Sequence, residues 1–356
     1  MVIDRIGLVS SLGSRVQAAA AFRAGITRFQ AARDFTLFEP GDESAQPAII
    51  SPVVGNLTLG FVGVGRLVAL AMAALRDLFD DVAVEWRRVS QVFMVVPDPL
   101  ARGIVGAGGD LETEDERVGW LGGEVLRRTL INLGLPAVPC ASFGGGHDGF
   151  IGAAVAVQQH LVSGSRVVIL SVDSLAAPEC LDLILAEGRL KTRTNAMGTC
   201  PGEAGVALLV SETATGPGMV LSGFGLVDLG TDPAADSDAG MRSLQPALQA
   251  LTEHAGPFLA IIDHAGQVKD AQEWGMTLTR MQAHGIDTGR MDTWFPASSF
   301  GEVGVAFAGL SLALAFREMP AGRVPGTALL KLVGDDGRYA GALVTYGTPA
   351  FVESTR

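Results

Sequence analysis

The sequence predicts an α/β fold, and three observations carry that expectation. Strand-like and helix-like runs alternate along the chain. The strand-like runs are apolar throughout, as expected where helices cover both faces of a sheet. The alternation also runs twice, over roughly 1–213 and again over roughly 214–356, which predicts a duplicated architecture. In the first half a helix is expected over Val62–Phe79, a strand over Gln91–Val96, a helix over Leu121–Leu133, and strands over Ala137–Phe143 and Arg166–Asp173. In the second half the expected order is a strand over Val220–Leu226, a helix near Ser243–Glu253, a strand over Phe258–Asp263, a helix over Val303–Arg317, and strands over Gly326–Val333 and Gly341–Tyr346. The acidic stretch Gly108–Glu116 and the Asp/Ala-rich stretch Gly230–Gly240 read as exposed loops. Thr213–Gly218 reads as a Gly/Pro turn between packed halves.

One segment organises the chemistry. Gly144-Gly145-Gly146-His147-Asp148-Gly149-Phe150 is a glycine turn opening an apolar helix, whose Ala and Val content suits burial and which Gly164 is expected to cap. Strand, glycine turn, helix and strand make an elbow. The turn holds His147 at a helix N-terminus, among free backbone N–H groups and the positive end of the helix dipole. That end disfavours imidazolium, so a neutral His147 is expected.

Bulk composition narrows the function classes. Hydrophobic residues make up 48% of the 356-residue chain, enough for a large core, and 46 glycines imply many tight turns. A net charge of -12 argues against non-specific binding to nucleic acid or an anionic membrane. It also makes an acidic protein partner awkward unless a local basic patch overrides it; Arg189, Lys191 and Arg193 form the best such cluster. Cys140, Cys180 and Cys200 lack Cys-x-x-Cys spacing, so neither zinc nor a disulfide framework is indicated and a reducing compartment, the cytoplasm, is expected. Charges at Asp4, Arg5, Arg15 and Arg23 interrupt any signal-peptide core. The longest charge-free apolar run, Val303 to Phe316, has 14 residues, short of the roughly 18 of a membrane span.

Five ordered segments resemble the thiolase superfamily, and the chain as a whole is similar to a β-ketoacyl synthase. Ile6–Gly13 with Phe22–Phe29 resembles the opening strand, loop and helix; His147–Gly164 resembles the nucleophile helix; Pro201–Glu212 resembles the strand that closes the first half. Ile261-Ile262-Asp263-His264-Ala265-Gly266 resembles the strand bearing the first catalytic histidine, and Gly301–Ala306 the turn bearing the second. The resemblance implies a thiolase-like duplicated α-β-α-β-α five-layer fold with the site residues His147, His264 and Glu302. It implies no cofactor and no metal.

The departures bear on function. By this resemblance His147 replaces the nucleophilic Cys, Glu302 replaces the second His, Ala297 meets the expected Lys, and the C-terminal gating turn is reduced to Thr345-Tyr346-Gly347-Thr348. A condensing enzyme needs a thiolate and two neutral donors for the enolate and oxyanion. An imidazole makes a labile acyl adduct, and an ionised Glu302 has no proton to donate. The resemblance therefore implies a non-condensing homologue in fatty acid or polyketide biosynthesis, similar to chain-length factors, as a homodimer or as the heterodimer partner of an active ketosynthase. Acyl carrier protein or acyl-CoA is the expected partner. A second reading makes His147, His264 and Glu302 an acid/base set for decarboxylation, hydrolysis, cyclisation or atypical acyl transfer. A third keeps condensation with Cys140, though Cys140 lies seven residues before His147 and suits a small buried position in the preceding strand.

Other residues receive no role. His160, His254 and His284 read as helix-surface or loop residues, and Gly60–Gly65 lacks the Lys-Ser/Thr ending of a phosphate loop.

Overall fold

The computed structural model describes residues 1–38, 45–104, 111–144, 146–161, 164–212, 217–229, 238–252, 256–334 and 338–347. The first half contains β1 (Val2–Ser10), β2 (Gly13–Ser14), α1 (Arg15–Arg23), β3 (Gln30–Leu37), β4 (Gln46–Ile50), α2 (Gly63–Leu78), α3 (Val82–Trp86), β5 (Gln91–Val95), α4 (Glu114–Leu133), β6 (Cys140–Phe143), α5 (Gly149–His160), β7 (Arg166–Ser174), α6 (Pro178–Ala186) and β8 (Glu203–Ser211). The second contains β9 (Gly218–Asp228), α7 (Ala239–Thr252), β10 (Phe258–Ile262), α8 (Val268–Ala283), β11 (Met291–Trp294), α9 (Ala297–Phe300), α10 (Phe307–Glu318), β12 (Thr327–Val333) and β13 (Arg338–Gly347).

The strands run in the order β11-β10-β12-β13-β9-β1-β8-β7-β5-β6, with β2 paired to β1. Both sides of the centre repeat one pattern. In the first half β6, β5 and β7 are parallel, β8 is antiparallel to β7, and β1 is antiparallel to β8. In the second, β11, β10 and β12 are parallel, β13 is antiparallel to β12, and β9 is antiparallel to β13. The two sides of the sheet join where β1 pairs antiparallel with β9, Val2 with Val220 and Ile3 with Met219.

Helices complete five layers. α2 and α4 cover the outer face of the first sheet, burying Leu70, Leu75, Leu121 and Val125 against Val92, Met94 and Val168. α7 and α8 cover the second, burying Leu244, Trp274 and Met281 against Ala260, Leu329 and Leu343. Between the sheets lie α5 and α10, joined with both in one core. α10 is buried from Phe307 to Ala315, as a helix apolar on every side must be. Each fully buried Leu there contributes roughly 1.5–3 kcal/mol of transfer free energy. The hairpin β3–β4 stands apart, packing Phe35, Leu37 and Ile50 on Leu181 and Ile184 of α6.

Several element boundaries differ from expectation for local reasons. α5 ends at His160 rather than at Gly164; Leu161 is already extended, and Gly164 (φ +82°) serves the turn into β7. The acidic loop expected through Glu116 instead opens α4 at Glu114. Thr113 and Glu116 form a capping box there, and Glu114, Asp115 and Glu116 meet the positive helix end. The helix expected from Val303 begins as a single 3-10 turn, Gly304–Ala306, and becomes α-helical at Phe307. Residues 105–110, 213–216, 230–237, 253–255 and 348 lie outside the described residues, and with them the start of the expected acidic loop, most of the Asp/Ala-rich loop, most of the join, His254 and the last residue of the reduced gating turn.

Candidate functional site

The elbow forms as the glycines dictate. A Cβ on Gly149 would lie 2.4 Å from the Gly144 carbonyl oxygen, so only glycine lets the chain fold back between β6 and α5. The intervening 3-10 turn, Gly146–Asp148, carries His147 inward, where it is 8% exposed. Its ring stacks on Phe307 at the start of α10, with centroids 5.6 Å apart and planes 9° off parallel.

Both ring nitrogens of His147 face a carboxylate. Nδ1 meets Asp263 at a short hydrogen bond, and Nε2 lies 2.7 Å from Glu302 Oε1. Asp263 follows β10; its N–H donates to the Lys331 carbonyl and its carboxylate accepts from Val333 N–H. The Glu302 backbone N–H donates to the Cys200 carbonyl at 2.8 Å, its carbonyl accepts from Gly202 N–H at 2.7 Å, and its carboxylate accepts from Gly304 N–H at 3.2 Å. Asp173 secures the same turn by accepting from Val305 N–H at 3.0 Å while bound by two guanidinium nitrogens of Arg102. Gly304 (φ +54°) is required there, because a Cβ would fall 1.9 Å from Asp173 Oδ2.

These partners reverse the expected protonation of His147. Burial disfavours its cation, but the charges and hydrogen bonds of Asp263 and Glu302 outweigh burial and hold the imidazole well above its usual range. Asp263 is itself pushed up by burial, with His147 pulling the other way. The resting arrangement is an imidazolium between two acids, not the neutral ring expected from the helix end.

Of the expected set, His147 and Glu302 come together and His264 does not. Consecutive residues past a strand end face opposite ways. Asp263 therefore enters the buried cluster while His264 stands edge-on to Phe295, accepting at Nδ1 from Gly266 N–H. Asp263 was missed because His264 drew the attention at that strand end, although an acid directly after the apolar run Phe258–Ile262 was a readable signal of buried polar work. Asp263 and Glu302 also join His147 as a group that could hold a metal ion, one ligand atom from each lying within 4.8 Å of the others.

The remaining candidates fall into place. Cys140 lies on the edge strand β6, exposed rather than buried as expected. Burial pushes the Cys180 and Cys200 thiols up to about 12, and Cys200 donates to the Ile49 carbonyl. Arg189 borders the small cleft over His147 and pairs with Glu187, while the Lys191 ammonium donates to the Ala196 carbonyl. His160 and His284 are exposed and donate to the carbonyls of Ala156 and Arg280. Glu179 accepts from Gly63 N–H, placing a carboxylate where a phosphate loop would need an anion.

A duplicated sheet with two helices between its halves, and a turn at the head of each helix, narrows the comparison to one architecture. The fold is that of the ketosynthases. A type II polyketide ketosynthase solved with its acyl-carrier protein bound to a hexaketide aligns over 97% of this chain and 98% of its own, with TM-score 0.66 and 14% identity. The ishigamide ketosynthase/chain length factor aligns over 97% and 99%, with TM-score 0.61 and 18% identity. A ketosynthase in complex with its chain length factor from Xenorhabdus doucetiae aligns over 97% and 98%, with TM-score 0.64 and 10% identity. No family model and no curated protein matches the sequence. Among the described residues of this ketosynthase fold, no helix is long and apolar enough to cross a membrane.

Proposed function

We propose that the chain is a non-condensing ketosynthase homologue of fatty acid or polyketide biosynthesis, acting as a chain-length-factor-like partner of an active ketosynthase. One observation carries the reading: the residue at the elbow is a buried histidine whose two ring nitrogens each face a carboxylate. It has no free lone pair for attack on a thioester and no idle nitrogen for proton transfer. The competing acid/base set loses support because His264 stands outside the cluster. Condensation through Cys140 loses support because that thiol lies on an edge strand away from the elbow.

Partner choice draws on the edge of the sheet. Among the described residues β6 pairs only with β5, so its outer backbone groups are offered to a strand from a second subunit, whether a ketosynthase or another copy. The two solved ketosynthase and chain length factor structures favour the ketosynthase. An acyl carrier protein or acyl-CoA would then be handled by the pair. The decisive experiment incubates the isolated chain with acyl-carrier and acyl-CoA thioesters and reads intact mass. No stable adduct is expected. A stoichiometric adduct abolished by Cys140→Ser would return the chain to the condensing enzymes.

A further inference from the structure

Hairpin β3–β4, the loop ahead of α2 and the start of α6 line a cleft of about 160 Å³ that shares no residue with the buried His147 cluster. Ala32, Phe35, Ile50, Val53 and Leu181 give it apolar walls. An apolar cavity of roughly 150 Å³ holds a benzene ring. The charged lining is unbalanced, with Arg28, Arg33 and Arg66 against Asp34 alone. Arg28 and Arg33 are exposed, and no partner is recorded for either among the described residues. Arg66 differs, since it is only 8% exposed. Its Nε donates to Glu203 at 2.7 Å and to Ser174 at 2.9 Å, while Nη1 reaches the Thr58 and Phe61 carbonyls only at 3.4 and 3.3 Å. Nη2 has no recorded partner among the described residues. Glu203 is already occupied, because its carboxylate also accepts from Val53 N–H and from the Thr58 and Ser174 hydroxyls. Buried polar groups are bonded as a rule, so the unmet edge of this guanidinium calls for an acceptor from outside the chain. Water can meet that edge but not the apolar walls.

We propose that this cleft binds a small carboxylate whose apolar body is about the size of one aromatic ring, with the carboxylate on Arg66 and the ring among the apolar walls. The planar fork of a guanidinium matches the two oxygens of a carboxylate. Arg28 and Arg33 add attraction for an anion that Asp34 alone does not cancel. The proposal goes beyond the non-condensing reading, and neither depends on the other. It also gives the hairpin a second anchor. Ala32, Phe35 and Ile50 belong to β3–β4, which packs on α6, whereas Arg66 belongs to α2 and is bound to Glu203 at the start of β8. A bound carboxylate therefore ties the hairpin to the main sheet.

The test titrates the full chain by calorimetry with benzoate, with benzamide, which has the ring without the charge, and with acetate, which has the charge without the ring. One benzoate should bind per chain, about tenfold or more tighter than either comparator, the scale of one charge-assisted hydrogen bond or one buried ring. The ¹⁵N signal of Arg66 Nη2 should shift on benzoate addition, and hydrogen exchange of the β3–β4 amides should slow. Arg66→Lys keeps a cation beside Glu203 but loses the fork, and should weaken benzoate about tenfold. Should that variant fail to fold, the double change Arg28→Gln and Arg33→Gln alters only exposed side chains and should weaken benzoate about threefold. The inference is overturned if benzoate does not bind at millimolar concentration, if benzamide or acetate binds as tightly, if the double variant binds benzoate unchanged, or if binding leaves the Arg66 signal in place.

Discussion

At the scale of single residues, the buried cluster clamps the halves together, since His147 comes from the first and both acids from the second. Its pH dependence has a definite sign. His147 is raised above its ordinary 6.5, so its contribution to stability is complete below pH 6.5 and is lost as pH rises through the higher folded value. Urea unfolding between pH 6 and 10 should therefore show stability falling with pH, and His147→Gln should flatten that slope; equal slopes would remove the imidazolium. Glu302→Gln, which strips one partner from a buried ion cluster, should cost about 3–5 kcal/mol in the same assay near neutrality. A cost within experimental error would mean that Glu302 does not hold His147. Sequence alone supplied His147 and Glu302 but not their protonation. The helix dipole is a local effect of roughly half a charge, and it was outweighed by two carboxyl groups brought in from the other half.

At the scale of elements, the turns ahead of α5 and α10 decide the geometry. Gly304→Ala forces a side chain into a left-handed backbone and into the Asp173 carboxylate, and should cost about 3 kcal/mol or more. Circular dichroism melting measures it. An unchanged melting temperature would mean that the Arg102–Asp173 pair does not hold this turn. Helix and strand interiors were legible because their apolar runs are long: Gln91–Val95 and Arg166–Ser174 lie within a residue of the expected strands. Ends were less legible where a cap competes with composition. Glu114 to Glu116 look like solvated loop until Thr113 and the helix dipole are considered together. The hairpin β3–β4 gave no strong pattern, because its burial rests on α6 rather than on the main sheet.

At the scale of the molecule, the duplicated α/β order was readable from the repeat of strand and helix runs, and the ordered motifs pointed to the ketosynthase architecture later found by structural comparison. His264 was assigned by motif position and could not be separated from Asp263, since a single register step at a strand end decides which side chain turns inward. For assembly, the expectation is a complex. Coexpressed with a ketosynthase encoded beside it, the chain should copurify in equal amounts, and changing Ser142, whose N–H lies on the side of β6 away from β5, to Pro should release it. Migration of the unaltered chain as a monomer in the ketosynthase's presence would count against the partner role.

The meeting of the halves has a consequence for symmetry. β1 and β9 occupy the same place in their respective halves and pair antiparallel with each other, the arrangement that a two-fold axis imposes on a symmetric dimer. By the same correspondence, Gly146-His147-Asp148 before α5 is the counterpart of Gly304-Val305-Ala306 before α10. One chain thus presents two equivalent turns to the buried centre, the first with an ionisable ring and the second with only aliphatic side chains, so two like scaffolds deliver unlike chemistry to one place.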